Sequence, residues 1–136
     1  GELSLQISLN LATKDEIEYL EVVKNGQVVQ QVRLDKWAAA GGLLPPVSMK
    51  QSGWLLIRAV TTNPKTYRFA STGPYYVQIG GRRRISRASA KFFLDWVDER
   101  TGRVKIEDPQ KLDEVLRHHQ MAREYWQRLV DMANAK

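Results

Sequence analysis

The clearest candidate for chemistry in this sequence is a short basic segment at residues 81–91, which contains five basic residues and no acid. Its arginines are Arg82, Arg83, Arg84 and Arg87. A basic loop that leads into the start of a helix can hold phosphate, because guanidinium groups and free backbone N–H groups both attract anions. Tyr75 and Tyr76 lie shortly before it, and tyrosine rings stack on bases or sugars. The segment therefore predicts a site for an anionic ligand, such as a polyanion or nucleic acid.

Two structural roles compete with anion binding. Asp95, Asp98 and Glu99 follow in the next predicted helix, and these acids could neutralise the arginines within the chain. The arginines could equally dock on a neighbouring domain. We favour a structural or interdomain role, and anion binding stays open as the alternative.

The two histidines of the chain, His118 and His119, do not predict a metal site. Neighbouring residues on a helix point about 100° apart, so adjacent histidines do not readily share one ion. Glu114 lies four residues before His118, which gives a single weak pair of ligands. We expect His119 to be a hydrogen-bonded residue of the helix stripe, His118 to be solvated, and the chain to hold neither metal nor cofactor.

Other candidates for catalysis are equally weak. Ser52, Ser71 and Ser86 lie near predicted turns without a GxSxG elbow, and Ser86 is better interpreted as a helix cap. The three acids at 95, 98 and 99 are typical of the solvated face of a helix. The chain contains no cysteine, which excludes thiol catalysis and zinc–thiolate sites. We therefore expect no catalytic residue in this chain.

Length and composition are those of one globular domain. The 136 residues are 43% hydrophobic and 26% charged, which argues against disorder. Five of the net six positive charges fall in the basic segment, so the remaining surface is nearly neutral. No apolar run approaches the roughly 18 to 20 residues that cross a bilayer, so we expect no membrane association. The chain begins at Gly1 in a segment already patterned as a strand, and we expect a fragment of a longer protein whose upstream part could carry a targeting segment.

A tight hairpin at residues 16–34 organises the first half. Asn25-Gly26 favours a type I′ turn, because that turn needs positive φ at both central residues. The resulting register places Ile17, Tyr19 and Val23 opposite Leu34, Val32 and Val28 on a mostly apolar face, with Glu21 and Gln30 as the exceptions. On the other face it pairs Glu18 with Arg33 across the strands.

Further strands surround this hairpin. Alternation predicts a strand at residues 3–11. Further strands are predicted at residues 54–60, 67–71 and 75–79. Residues 54–60 are apolar on both faces, so Arg58 in that strand needs a polar partner. A short helical turn is predicted at residues 35–42, and the prolines at 45 and 46 impose extended backbone.

The period changes to that of a helix beyond Gly80-Gly81. One helix is predicted from Ser86 as N-cap to Gly102 as the residue after its end, and a second begins at Asp108-Pro109. The fold class is mainly β with C-terminal helices: an antiparallel immunoglobulin-like β-sandwich at residues 1–81, packed by two α-helices within residues 82–136 as a single compact domain. Phe92, Trp96 and Trp126 are expected to be buried where the helices pack on the sheets.

Several of these segments together resemble the C-terminal region of PHP-superfamily metal-dependent hydrolases of the carbaryl-hydrolase (CehA/McbA) type. The similar segments are VVKNGQVVQQVRL, SGWLLIRAV, RFASTGPYYVQIGGRRRISRASAKFFLDWVDER and EVLRHHQMAREYWQRLV. That tail carries a VxxNG hairpin, a GWxxxR strand and an A-[HS]-T-x-P-x-Y-V strand, which Trp54 with Arg58 and residues 70–77 match. The similarity covers about residues 3–133.

The resemblance implies an accessory role. The metal-binding motifs of such hydrolases belong to an N-terminal PHP-like domain, so no catalytic residue carries over to this chain. It implies a non-catalytic module that supports or borders the active-site domain of a larger metal-dependent hydrolase, with that domain as partner. Two alternatives stay open: a polyanion or nucleic-acid module using Arg82–Arg87, and a carbohydrate-binding sandwich using exposed aromatic residues such as Trp37 and Tyr76.

Overall fold

The computed structural model describes residues 1–136, and the chain forms two compact units, Gly1–Arg83 and Arg84–Lys136. The first unit contains seven strands and one short helix: β1 (Leu3–Ser8), β2 (Ile17–Lys24), β3 (Gln27–Arg33), α1 (Leu34–Ala39), β4 (Leu43–Met49), β5 (Gly53–Thr61), β6 (Phe69–Ser71) and β7 (Tyr75–Val77). The second unit contains α2 (Arg87–Gly102) and α3 (Pro109–Asp131). The prediction of a mainly β chain with two C-terminal helices is confirmed.

Two antiparallel sheets form the first unit. β1 pairs with β4, while β3, β2, β5 and β6 lie side by side in that order, and β7 pairs with the other end of β5. One cluster of buried side chains joins the sheets, with Leu20, Val22 and Ile57 from the larger sheet and Leu44 and Val47 from the smaller. The arrangement is an antiparallel β-sandwich, and the immunoglobulin-like topology stays a prediction.

The alternation of β1 extends beyond the strand itself. The observed strand ends at Ser8, three residues before the predicted end, although Leu9 and Leu11 still pack against the core. Leu9 N donates to Gly42 O at 3.0 Å, so the chain after β1 remains bound to the turn before β4. Burial of alternate leucines therefore continues where strand pairing stops.

The hairpin turn lies at the predicted position, but its register is not the predicted one. Asn25 and Gly26 have φ of 51° and 87°, as a type I′ turn requires, and Val23 faces Val28. A β-bulge then follows: Val22 faces Gln30, which leaves Val29 without a partner. Every later pair is shifted by one residue.

The shift overturns two predicted pairs. Leu20 lies opposite Val32 and Tyr19 lies opposite Arg33, so the predicted Tyr19–Val32 and Glu18–Arg33 pairs are wrong. The physical reason is core burial: Leu20 and Val22 are fully buried, and the extra residue in β3 brings Val32, which packs against the same core, opposite Leu20. Arg33 instead pairs with Asp35, with 3.2 Å between Nε and Oδ1.

The second unit is a pair of helices with capped N-termini. Ser86 caps α2 by accepting from Ser89 N, and Asp108 caps α3 with Pro109 as the first helical residue. Both caps were predicted. Gly102 is wrong as the residue beyond α2, because it is the last residue of the helix and Arg103 is the C-cap.

An aromatic stack and an ion pair join α2 to α3. Phe93 stacks on Trp126 with ring centroids 4.6 Å apart, and Arg123 Nε lies 2.9 Å from Asp98 Oδ1. Phe92 and Trp96 are 64% and 58% exposed, so their predicted burial is wrong. They lie beside the residues that make this contact, and two helices packed through one face leave such flanking rings in solvent. The packing of the helical segment on the sandwich stays a prediction.

Candidate functional site

The first two arginines of the predicted anion site follow a tight glycine turn. Gly80 and Gly81 have φ of 63° and 68°, a backbone that favours glycine, and Arg82 N donates to Ile79 O at 3.4 Å. The Ser52 hydroxyl donates to the backbone oxygen of Arg82, which ties the turn to the residue just before β5. Arg82 and Arg83 are exposed at this turn.

The remaining two arginines lie at the start of α2, where the helix N-terminus is already occupied. Arg87 N donates to Ala135 O at 2.8 Å, and Ser89 N donates to the Ser86 hydroxyl at 3.2 Å. The Arg84 guanidinium lies 3.5 Å from the backbone oxygen of Lys136. An anion at this position would therefore be held by guanidinium groups rather than by the free N–H groups of the helix.

The acids of α2 pair with other cations. Asp95 lies 2.8 Å from Lys91 Nζ, Asp98 bonds Arg123, and Glu99 pairs with Arg103. No ion pair in the structure includes Arg82, Arg84 or Arg87. Within the second unit, the acids of α2 are therefore bound to cations other than Arg84 and Arg87.

The three acids in these ion pairs are also the carboxylates that were considered for catalysis. Asp95, Asp98 and Glu99 are each about half-exposed and each bound to a different cation. Glycosidase-type hydrolysis needs two carboxyl groups that flank one bond, whereas these three carboxylates are bound to cations along a helix surface. They stabilise α2 and its contact with α3.

The histidines have the roles expected from the sequence. His118 is exposed, and His119 is half-buried with Nδ1 2.9 Å from the Thr101 hydroxyl. That hydroxyl also donates to Val97 O at 2.7 Å, so Thr101 links His119 to the last turns of α2. No three histidine, aspartate or glutamate side chains converge as metal ligands.

The buried charge of the first unit lies in the larger sheet. Glu21 is 6% exposed, and Arg58 Nε donates to its Oε2 at 2.6 Å while Gln31 Nε2 lies 3.4 Å from Oε1. The partner that Arg58 needs is therefore Glu21, its direct cross-strand neighbour. Sequence reasoning noted both residues but did not join them, although Glu21 was the acid on an otherwise apolar face.

This ion pair perturbs the groups around it. The hydrogen bond from Arg58 to Glu21 raises the pKa of Arg58, although burial opposes the effect. Burial raises the pKa of Tyr19, and the negative charge of Glu21 adds to it. Arg58 also lies over the Phe69 ring, 5.6 Å from its centroid. The ion pair and the neighbouring rings of Tyr19 and Phe69 therefore stabilise the larger sheet.

A cleft of about 430 Å³ lies at the edge of the larger sheet and was not predicted from the sequence. Its lining includes Asp15, Ile17, Tyr67, Arg68 and Phe69. Arg68 pairs with Asp15 across the cleft, with 3.2 Å between the nitrogen and Oδ2. The two members of that pair are 53 residues apart in the chain, so only the fold brings them together.

The two aromatic residues proposed for sugar binding differ in exposure. Trp37 packs against the core, and its Nε1 is buried without a hydrogen-bond partner, so it is not the exposed platform that was predicted. Its helix lies beside β2, β3 and β4, and burial of the large indole there stabilises the core. Tyr76 is 75% exposed.

Neither helix of the second unit is long and apolar enough to span a bilayer, and the same holds for the short α1. No known protein family, no curated protein and no solved structure matches the chain.

Proposed function

We propose that this chain is a non-catalytic accessory module of a larger PHP-like metal-dependent hydrolase, in which it supports or borders the active-site domain. The observation that supports the proposal is the structural role of the residues that are similar to the tail of those hydrolases. In this structure they hold neighbouring strands together, which is the work of a scaffold.

The Asn-Gly and Gly-Trp motifs bind each other. Asn25 N donates to Trp54 O at 3.0 Å, and Trp54 N donates to Asn25 Oδ1 at 3.0 Å. A Cβ atom at Gly53 would lie 2.5 Å from Asn25 Oδ1, so glycine leaves the space that the asparagine side chain fills. The hairpin turn is thereby fastened to β5 by residues from both motifs.

The other motif residues have comparable roles. Thr72 N donates to Ile57 O at 2.9 Å, and its hydroxyl accepts from Ile57 N at 3.1 Å, which extends the pairing of β5 beyond β6. Arg58 forms the ion pair with Glu21. Each similar motif thus contributes a contact to β5, the strand shared by all of them.

The proposed partner is an N-terminal metallohydrolase domain, which would hold the metal and the catalytic residues. One test is the open reading frame that encodes this chain: we expect several hundred upstream residues rich in H-x-H motifs and aspartate. A reading frame without such a segment would overturn the proposed setting.

A biochemical test uses that upstream domain with and without this chain. We expect deletion of the chain to shorten the half-life of hydrolase activity on heating, and addition of the separate chain to restore it. The chain alone, with Mn²⁺, Zn²⁺ or Fe²⁺, should not hydrolyse p-nitrophenyl phosphate or carboxyl esters above a mock purification. Turnover that follows the chain through purification would contradict the non-catalytic role.

A second candidate function is polyanion binding by the arginine segment, residues 82–87. The observation in its favour is that the nearby acids of α2 pair with Lys91, Arg103 and Arg123. The charges of Arg82, Arg84 and Arg87 are thus not cancelled within the chain by an ion pair.

The test is retention on heparin or single-stranded DNA at about 100 mM salt, where phosphate contacts remain strong. The variant R82A/R84A/R87A should lose retention. The matched control R33A/R103A/R117A removes the same charge from exposed, ion-paired arginines and should be retained like the wild type. Equal loss in both variants, or no retention of the wild type, would exclude this function.

A further inference from the structure

Five aromatic rings form one continuous row across α2 and α3. The ring centroid of Trp96 lies 6.3 Å from that of Phe93, and Phe93 stacks on Trp126 at 4.6 Å. The row ends on α3 at Tyr125, whose ring lies 5.2 Å from Trp126, and on α2 at Phe92, which lies 5.3 Å from Phe93. The rings of both helices therefore belong to one surface of the helical unit.

The outer rings of this row are exposed, although the inner two hold the helices together. Phe92, Trp96 and Tyr125 are 64%, 58% and 50% exposed, whereas Phe93 and Trp126 are half-buried. Large apolar side chains that lie side by side in solvent are uncommon on monomeric proteins and mark interaction surfaces. The row thus has an inner part that joins α2 to α3 and an outer part that faces solvent.

Helical spacing groups the exposed residues on one side of each helix. Phe92 and Trp96 lie one turn apart on α2, and Met121, which is 64% exposed, lies one turn before Tyr125 on α3. The ion pair between the helices lies on their other flank, because both of its members are rotated by more than roughly 100° from these residues. Together the exposed residues form the aromatic face: Phe92, Trp96, Met121 and Tyr125.

The charges around Met121 are complementary under two-fold symmetry. Glu114 lies two turns before Met121 and Arg128 lies two turns after it, on the same side of α3. Both are exposed, and no ion pair in the structure includes either one. In an antiparallel two-fold contact, the acidic end of this stripe in one copy approaches the basic end in the other. A second copy therefore matches the aromatic face in charge as well as in apolar character.

The exposed area of the aromatic face is sufficient for a dimer. A whole side chain of this size presents about 200 Å², so four side chains that are at least half-exposed leave on the order of 500 Å² on each copy. Two such faces bury about 1,000 Å² in contact, which reaches the lower bound of specific protein interfaces. Two helix pairs that meet in this way form a four-helix bundle, in which each helix has two neighbours.

We propose that the aromatic face is a homodimer interface, at which two copies of the chain join their helix pairs into a four-helix bundle. Trp96 and Tyr125 lie beside the rings that hold α2 to α3, so both are rigid anchors for the contact. The interface goes beyond the accessory role proposed above and does not depend on it, since it uses only residues of the helical unit.

Sedimentation equilibrium of the wild-type chain, from about 1 to about 100 µM, tests the proposal. We expect the average mass to rise with concentration from that of one chain to that of two. A mass of one chain throughout this range would overturn the proposal. Growth beyond two chains would also overturn it, because a two-fold contact is closed.

Substitutions on the aromatic face locate the contact. Phe92→Ser with Trp96→Ser should raise the dissociation constant of the dimer at least about a hundredfold, since a symmetric interface contains each substitution twice. The control, Tyr67→Ser with Tyr76→Ser, removes two similarly exposed rings from the first unit and should dimerise like the wild type. An unchanged constant in the first variant, or an equal increase in the control, would contradict the interface.

Charge reversal tests the two-fold arrangement without removing apolar surface. Arg128→Glu and Glu114→Arg should each weaken the dimer by about tenfold, because each places like charges near one another across the contact. The two substitutions together restore complementary charges and should return the dissociation constant to within about threefold of the wild type. A double variant that dimerises no more tightly than the single variants would contradict the proposed contact.

Discussion

Glu21 and Arg58 face each other directly across β2 and β5, and two nitrogens of Arg58 lie 2.5 and 2.6 Å from a single carboxylate oxygen of Glu21. The two side chains are unequally buried, at 8% exposure for Glu21 and 27% for Arg58. Removal of Arg58 and removal of Glu21 should therefore lower the free energy of unfolding by different amounts.

Removal of Arg58 should be the more damaging change. Arg58→Met leaves a buried carboxylate whose remaining contact is Gln31, and we expect a loss of about 3 kcal/mol in the free energy of unfolding. Glu21→Leu leaves an arginine that can turn toward water, and we expect a loss of about 1 kcal/mol. Equilibrium urea unfolding measures both.

The double variant is the control for this pair. Glu21→Leu with Arg58→Met replaces both charges by apolar groups, and its stability should return to within about 1 kcal/mol of the wild type. Additive losses in the double variant would show that the two charges do not depend on each other.

The hairpin turn allows backbone and side-chain contributions to be separated at Asn25. Asn25→Gly keeps the positive φ but loses the hydrogen bond to Trp54 N, which should cost about 1 kcal/mol. Asn25→Ala loses the same bond and also forces a β-carbon into a left-handed conformation, which should raise the cost to about 2 kcal/mol. Urea unfolding at constant m-value compares the two variants. Equal losses would mean that the backbone conformation of the turn contributes nothing.

Stability should fall in alkaline solution because of Tyr19. Burial and the charge of Glu21 raise its pKa above the ordinary value of 10.0, so the phenol of the unfolded chain ionises first as the pH rises. The contribution is fully present below pH 10.0 and is lost as the pH rises through the folded-state pKa. Thermal melts across this window should show a smaller alkaline loss for Tyr19→Phe than for the wild type. Tyr76→Phe, at an exposed position, should behave like the wild type.

The cap of α3 should stabilise the helical unit. Asp108 Oδ1 accepts from Gln110 N at 2.9 Å and from Lys111 N at 3.3 Å. Asp108→Ala should lower the free energy of unfolding by about 1 kcal/mol. Asp108→Asn, which is also a good cap, should lower it by roughly 0.3 kcal/mol. Circular dichroism of the helical signal during heating measures the difference. A loss in Asp108→Asn as large as in Asp108→Ala would assign the effect to charge rather than to hydrogen bonding.

Local chemistry made parts of this fold predictable. The Asn25-Gly26 turn, the Ser86 cap and the Asp108 cap each depend on a few neighbouring residues, and each lies where the sequence places it. The apolar residues at 54–60 predict an interior strand, and β5, which runs from Gly53 to Thr61, lies between β2 and β6 in its sheet. Features set by one short segment can be read from that segment alone.

Features that depend on distant segments were missed. The bulge at Val29 arises because β2 has apolar residues on both faces, so its alternation does not choose between registers until the core selects Leu20 and Val22. The pairing of β4 with β1 was likewise not predicted, since Pro45-Pro46 indicates only extended backbone. The cleft depends on Asp15 and Arg68 meeting across the fold, and no local pattern marks either residue.

The two prolines of β4 have a consequence for self-association. They lie where the pairing of β1 with β4 is irregular, between the Leu5–Val47 and Ile7–Leu44 pairs. Because proline has no N–H, the row of donors that an edge strand offers to a second molecule is interrupted there. Growth of an amyloid-like ladder on the open edge of β4 would lack a backbone donor at this proline pair.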